Sequence, residues 1–514
     1  MYKYLGAASL AVLVSTSAYG AECQPLKFSD NSPEVQEFWN ILMSVQDNHW
    51  KKTGLSSVCL SSDNEVKVMP KGDGYAFIFN GWQANYPFKD KKGVEQAFIN
   101  IQSSAEFYAE VHLNGDDISG VIKSDTALYN VKVHDSLEAK DYMLPIEMDI
   151  SSDYTYNRKL GLYTKVNHTI NQLRVDFAAL TPDIDQGMLQ LVDMKKQKTS
   201  VVDESGNVDI SEKTSTGSTS LTMNVKGTDI SFSIGETVGD FSLKGMNKDI
   251  LGSQGSLSQC TKIDVSLSGD IDIDQQFSCI IDKIKNLPWG SLSYGVTAKD
   301  FEFKLIDNII PPFGFSSKNV GYLLEAREEN GIISGENYIL LDGNTYNIDS
   351  SLLEFSKISP KLLPKSLVSV FKLDNLKKSE LTKEMASSDD ILINNIDIAS
   401  NTTIILPEDA AIKTNIAGRI NDKTPVTLGN LIDGDMPEDF SNYNFDANIT
   451  TVNQGKIIEA ASPLIGESAG MIGLTLGFFG QKVEGAAQPT YKYDLKIEDG
   501  QPTVNGRQLP SFGR

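Results

Sequence analysis

Residues Thr261 to Asp274 read TKIDVSLSGDIDID. Ile263, Val265, Leu267, Ile271 and Ile273 alternate with Asp264, Ser266, Ser268, Asp270, Asp272 and Asp274. Successive side chains on a strand point to opposite faces, so this spelling predicts one apolar face and one wet face. Gly269 interrupts the apolar row, as a bulge, a bend or the tip of a hairpin would. Outward from this stretch the same alternation recurs along most of the chain. The fold class it predicts is mainly β: a large antiparallel meander or curved sheets, with a sandwich as one way of closing them. An N-terminal helix and a C-terminal glycine-rich helix with a hairpin complete the expectation.

The chain has 514 residues, of which 40% are apolar and 22% charged. That is ordinary for a globular protein with a sizeable core, and at about 150 residues per domain it allows roughly three domains. The net charge of −22 excludes a nucleic-acid backbone as a simple partner. It also disfavours purely electrostatic adhesion to anionic headgroups.

Lys3, the apolar run Leu5 to Val14 and Ala18-Tyr19-Gly20 spell a secretory signal peptide with cleavage before Ala21. The run is too short for a membrane span, and Glu22 before Cys23 is wrong for a lipoprotein site. The expected location is the periplasm. Four cysteines remain, Cys23, Cys59, Cys260 and Cys279. An even count in an exported chain predicts two disulfides, and three pairings are open. Loop closure favours Cys23 with Cys59 and Cys260 with Cys279; a loop of about 20 residues contributes roughly 3 kcal/mol in the chain-entropy model. Zinc is not expected, because no C-x-x-C pair or neighbouring histidine supplies ligand spacing.

Ser32-Pro33-Glu34 starts a helix, and Val35, Phe38, Trp39, Leu42 and Val45 give it one buried face. From Glu65 strands follow, punctuated by Asn114-Gly115, Ser205-Gly206, Asn330-Gly331 and Asp342-Gly343, pairs that reach positive φ cheaply. Thr199 to Ser218 is polar and reads as an exposed loop or ragged hairpin, hence an internal boundary. Asp374 to Asp390 reads as a linker or short helix. Lys456 to Phe479 is apolar and glycine-rich and predicts a buried helix, kinked or started by Pro463. Glu459 and Glu467 inside it argue against a transmembrane span. The expected organisation is a signal peptide (1–20), a helix plus β region (21–198), a polar loop (199–218), a central β region (219–380) and a C-terminal β region (381–514).

The C-terminal stretch TYKYDLKIEDGQPTVNGRQLP (490–510), with the apolar helix before it, resembles the end of a bacterial exported family of unknown function, domain of unknown function 2125. EVQEFWNILMSV (34–45), LSYGVTAKDFEFKL (292–305), PPFGFSSKNVGYLL (311–324) and ISPKLLPKSLVSVFKL (358–373) fit the same resemblance. The YdgA-like exported family shares the closing helix and hairpin. Either resemblance implies export and a β-rich fold, and neither brings a catalytic residue.

The sharpest catalytic motif is Gly466-Glu467-Ser468-Ala469-Gly470, the G-x-S-x-G spelling of an esterase elbow. Such an elbow takes its histidine from later in the chain. His49, His112, His134 and His168 all precede Ser468, so Ser468 reads as an ordinary helix serine. Asp270, Asp272 and Asp274 suggest a calcium loop, but Gln275 and Ile281 stand where Gly and Glu are required. Lys195, Lys196 and Lys198 read as a solvated turn. The expectation is a non-catalytic envelope protein without a cofactor, acting as a structural or protein-interaction module through a sheet edge or exposed face. The alternative is a binding or transfer protein that holds a lipid or other hydrophobic ligand in an apolar groove on the sheet. Either leaves room for membrane association without a span.

Overall fold

Period-two alternation governs the described residues as it governs the sequence. The computed structural model describes residues 26–53, 59–62, 65–89, 95–135, 140–178, 183–247, 290–307, 309, 311–377, 395–420, 443–466, 468–498 and 501–508. Mainly β is the observed class, with antiparallel ladders throughout apart from one isolated parallel bridge, Phe28 to Val66. Thr261–Asp274, the expected signal peptide (1–20), Cys23, Cys260 and Cys279 lie outside the described residues, and Cys59 opens the first strand. The described residues fall into two compact units, drawn from Met1–Ile230 with Asp240–Leu287 and from Ser231–Gly239 with Pro288–Arg514. The division between these units lies near 231–239 and 288.

The first unit starts with α1 (Pro33–Thr53) and continues through β1 (Cys59–Ser62), β2 (Lys67–Lys71), β3 (Gly74–Lys89), β4 (Glu95–Asn114), β5 (Asp117–Asp135), β6 (Lys140–Asn157), β7 (Leu162–Asp176), β8 (Ile184–Val202), β9 (Asn207–Thr216) and β10 (Ser218–Val225). Each strand from β3 to β8 pairs with the next, and β10 pairs with β8 as well. The polar stretch 199–218 is thus the hairpin of the two expected options, formed by the end of β8 and by β9. Lys195, Lys196 and Lys198 sit on β8 instead of a turn, because their alternation continues the strand.

Strands this long must bend. Register shifts fall between Asn80 and Trp82, Ser103 and Phe107, Ser124 and Ala127, and Met148 and Ser151, at facing positions on four adjacent strands. Bulges bend a strand and increase its twist, so this line across the sheet is where it coils. The bend frees backbone groups, and buried polar side chains satisfy them: Ser103 Oγ accepts from Ala105 N at 3.2 Å, and Ser124 Oγ donates to Glu106 O at 3.4 Å. Asp149 Oδ1 accepts from Asn171 N and Gln172 N, both at 2.9 Å.

The core of this unit lies between α1 and the inner face of the sheet. Val35, Phe38, Trp39 and Leu42 are buried at helical spacing. Trp39 meets Phe28 at 5.2 Å, Phe77 at 5.1 Å and Phe79 at 6.3 Å between ring centroids, all edge-on. Ser32 Oγ accepts from Val35 N at 3.4 Å, the expected cap.

The second unit is built on β13 (Ser291–Ile306), which part of β11 (Thr228–Ile234) joins, while β12 (Thr237–Asn247) pairs with β9 in the first unit. It continues with β14 (Phe313–Glu329), β15 (Ile332–Asp342), β16 (Thr345–Ile348), α2 (Ser350–Ser356), a 3-10 turn (Pro360–Leu362), β17 (Ser366–Lys377), β18 (Ile396–Ile405), β19 (Ala411–Ile420), β20 (Tyr443–Val452), α3 (Gln454–Ile465), α4 (Ser468–Phe479), β21 (Gln481–Lys482), β22 (Thr490–Glu498), β23 (Gln501–Val504) and β24 (Arg507–Gln508). The meander runs β13–β14–β15–β17–β18–β19–β20–β22–β23. Asn330 and Gly331 take φ of +53° and +78° in the β14–β15 turn, as their pairing predicts. Asp374 to Lys377 extends β17, and 378–394 lies outside the described residues.

The single helix expected over 456–479 is two, broken at Gly466 with φ of +58°. Pro463 sits inside α3 one turn before that break, where its missing N–H already weakens the helix. Lys361 bonds both Glu408 and Glu459 at 3.0 Å and Lys456 reaches Glu408 at 3.2 Å, tying the 3-10 turn, the β18–β19 turn and α3 together.

Trp39→Ala should lower the stability of the first unit by about 3–5 kcal/mol, the range for removing a buried large aromatic. Urea unfolding followed by circular dichroism measures it; a loss under about 1 kcal/mol would mean that α1 does not close this core.

Candidate functional site

Residues directly opposite on antiparallel strands share a face, so the registers of the second unit define four rows across one side of its sheet. The first row is aliphatic over six strands: Ala298, Val320, Leu341, Leu367, Ile404 and Ile412. The second runs from Val296 through Tyr322 and Ile339 to Ser369, Thr402 and Thr414. The third holds Tyr294, Leu324, Asn337, Phe371, Ser400 and Ile416. The fourth ends in Leu373, Ile398, Gly418, Phe445 and Ile497. Ser369 and Thr402 hydroxyls bond each other at 2.8 Å, and Asn337 Nδ2 donates to Tyr322 OH at 3.2 Å. The face is therefore apolar with a few paired polar groups.

Much of this face is not buried. Tyr294, Ile339 and Phe371 are 44%, 40% and 37% exposed. From β18 onward the opposite side of the sheet is polar instead, with Asn401, Asn415, Asn448 and Asp494 as successive ladder partners. Around the fourth row lies a cavity of about 690 Å³ lined by residues of both sides of the sheet. Ile398, Gly418, Phe445 and Ile497 line it from the fourth row, while Asp374, Asp397, Arg419, Asp446 and Glu498 alternate with them along the strands and line it from the polar side. Gly418 is required there, since a Cβ would lie 2.0 Å from the Phe445 ring. On the polar side Arg419 reaches Asp397 at 3.7 Å and Lys496 reaches Asp446 at 3.2 Å.

The first unit brings together titratable groups that the sequence scatters. Tyr108, Glu110 and His112 alternate along β4 and share the face turned away from the core. His112 Nδ1 bonds Asp73 at 2.8 Å and Nε2 bonds Glu110 at 2.6 Å, while Tyr108 donates to Glu110. The Glu110 bond, aided by Asp73, outweighs burial and raises the His112 pKa above its ordinary value. Burial alone would raise Glu110, but the bonds from His112 and Tyr108 and the charges of His112 and Lys71 hold it low. The His112 bond likewise lowers Asp73, and burial with the Glu110 contact pushes the Tyr108 phenol up to about 12. The two carboxylates occupy opposite ring nitrogens, so they cannot converge on one ion, and no imidazole nitrogen is left to move a substrate proton. Among the described residues no group of three or more His, Cys, Asp or Glu side chains could hold a metal.

A second pair crosses β6 and β7. Ser152 Oγ and His168 Nδ1 hydrogen-bond at 2.5 Å. Burial, with the Lys196 charge, lowers the His168 pKa, so the ring is neutral near pH 7. Lys196 is paired with Glu212 at 2.7 Å, and burial pushes the Lys198 ammonium down. A serine–histidine pair activates a nucleophile when a third group orients the base, and His168 Nε2 has no hydrogen-bond partner among the described residues.

Of the residues weighed from sequence, Ser468 opens α4 directly after α3, without the strand an elbow needs. His49 lies on α1 and His134 on β5, and Glu467 and Asp270, Asp272 and Asp274 lie outside the described residues. The alternation Tyr108-Glu110-His112 is a legible signal that sequence reasoning passed over; Asp73, 39 positions from His112, is not. No family model, curated protein or solved structure matches the chain.

The clamp has a defined pH dependence. With its pKa raised, His112 contributes fully below the ordinary 6.5 and loses that contribution as pH rises through the raised value. With theirs lowered, Asp73 and Glu110 contribute fully above 3.8 and 4.5 and lose it as pH falls through the lowered values. The difference in melting temperature between wild type and His112→Gln should therefore be greatest between pH 4.5 and 6.5. A difference that does not vary with pH would dissolve the clamp.

Proposed function

We propose that the second unit binds an acyl-chain ligand, a lipid-like molecule, along the four-row face. The observation that carries this reading is the set Tyr294, Ile339 and Phe371, three large apolar side chains on one face that stay 37–44% exposed. Apolar area left in water forgoes about 25 cal/mol per Å², which a guest along the rows would recover. The aliphatic row crosses six strands, about 24 Å at the usual strand spacing. That exceeds the ~15 Å of one leaflet's hydrocarbon in a bilayer, so an extended chain fits along it. Sites of this kind are mostly apolar with a few placed polar groups, and Ser369, Thr402 and Asn337 supply those.

Export to the periplasm and the absence of a catalytic step belong to the same proposal. An interaction module without a ligand accounts for the strands equally well, but it needs a protein partner to cover the exposed rows.

The test is a titration with N-phenyl-1-naphthylamine, a neutral apolar dye that brightens out of water. Saturable binding is expected, weakened at least tenfold by Phe371→Asp and unchanged by Asn401→Asp on the opposite face. Circular dichroism checks that each variant folds. Absence of saturable binding, or a Phe371→Asp variant that binds like wild type, would leave the interaction module in its place.

A further inference from the structure

Helix α4 carries no charged side chain from Ser468 to Phe479. Its inner side is anchored: at Gly473 a side chain would meet Ile458 of α3 at 3.6 Å, and Leu476 O accepts from Tyr493 OH at 3.1 Å. Its outer side is not. Met471, Leu474 and Phe478, at the three- and four-residue spacing of one helical face, are 69%, 77% and 67% exposed, and Leu464 of α3 is 50% exposed. At Gly470 and Gly477 a side chain would meet open space. A water-facing helix carries polar residues on that side, whereas a contiguous exposed apolar patch marks an interaction surface.

Two properties choose the occupant. Twelve residues make about 18 Å of helix, short of the ~30 Å hydrocarbon core, and no helix among the described residues is long and apolar enough to cross a membrane. The patch is also bordered by cations in a protein of net charge −22. The Arg507 guanidinium lies 4.9 Å over the Phe478 ring and donates to Phe478 O at 3.2 Å, and exposed Lys482 follows the helix by three residues. Apolar side chains rimmed by basic ones match a phospholipid surface, where the first enter the acyl boundary and the second meet phosphate. We propose that the α3–α4 hairpin docks on a phospholipid bilayer, with Met471, Leu474 and Phe478 inserted and Arg507 and Lys482 at the level of the headgroups. This surface uses none of the residues of the four-row face and stands whether or not that face holds a ligand.

Flotation of the full chain with vesicles of phosphatidylcholine and phosphatidylglycerol tests it. Wild type is expected to float with the vesicles. Leu474→Asp, at a site exposed enough to leave folding intact, should lower the bound fraction at least tenfold. Lys482→Glu should weaken binding to the mixed vesicles more than to phosphatidylcholine alone. Met471→Trp supplies an independent readout: its added emission shifts to the blue on vesicle addition and is quenched by brominated acyl chains. Wild type that stays unbound, Leu474→Asp that binds as well as wild type, or an added emission unmoved by vesicles each overturns the proposal. Self-association abolished by Leu474→Asp without vesicle binding overturns it too, in favour of a second copy of this chain.

Discussion

The antiparallel ladder is the constraint on which the rest of this structure depends. Because opposite residues share a face, a side chain chosen at Tyr322 sets the environment of Ile339, then Ser369, Thr402 and Thr414, strand after strand. A slip of one residue anywhere in that chain would turn an entire row to the other side. Tight turns such as Asn330-Gly331 hold the count, since they join two strands with no slack.

Long ladders bring a second requirement. A flat sheet of strands this length packs poorly, and the first unit solves it by aligning bulges across β3 to β6. A bulge leaves backbone groups unpaired, and an unpaired buried group is costly. The buried serines Ser103 and Ser124, and Asp149 at the far end of the line, answer that cost locally. On the core side Phe77 and Phe79 meet Trp39, and Phe107 stacks on Phe79.

The two units dispose of their apolar faces differently. In the first, α1 covers the aromatic end of the sheet. In the second, the ion network of Lys361, Lys456, Glu408 and Glu459 holds α3 near one end of the rows, and Tyr294, Ile339 and Phe371 stay accessible. Exposed ion pairs like these contribute little energy individually; their effect is to position the helix. The titratable clusters of the first unit are engaged internally. His112 spends both ring nitrogens on carboxylates, whereas the second unit presents its surfaces outward.

Local chemistry was sufficient for the class of fold, the helix at Ser32-Pro33-Glu34, the hairpin turns and the strand alternation, because each depends on neighbours within a few residues. It was sufficient also to show that Tyr493, Leu495 and Ile497 share a face. Other features rest on contacts far apart in the chain. The break at Gly466 separates two helices where composition reads as one, since a positive φ is not visible in an apolar run. Lys196 finds Glu212 only through the β8–β9 register, and Asp73 meets His112 only because β3 returns beside β4. Likewise, alternation announces that an apolar face exists, but whether that face is covered depends on where helices of the same chain come to rest. Tertiary structure alone decided that Trp39 closes one face, that Phe371 stays open on another, and that Leu474 faces water. Burial is a property of distant partners, and no single stretch of sequence contains them.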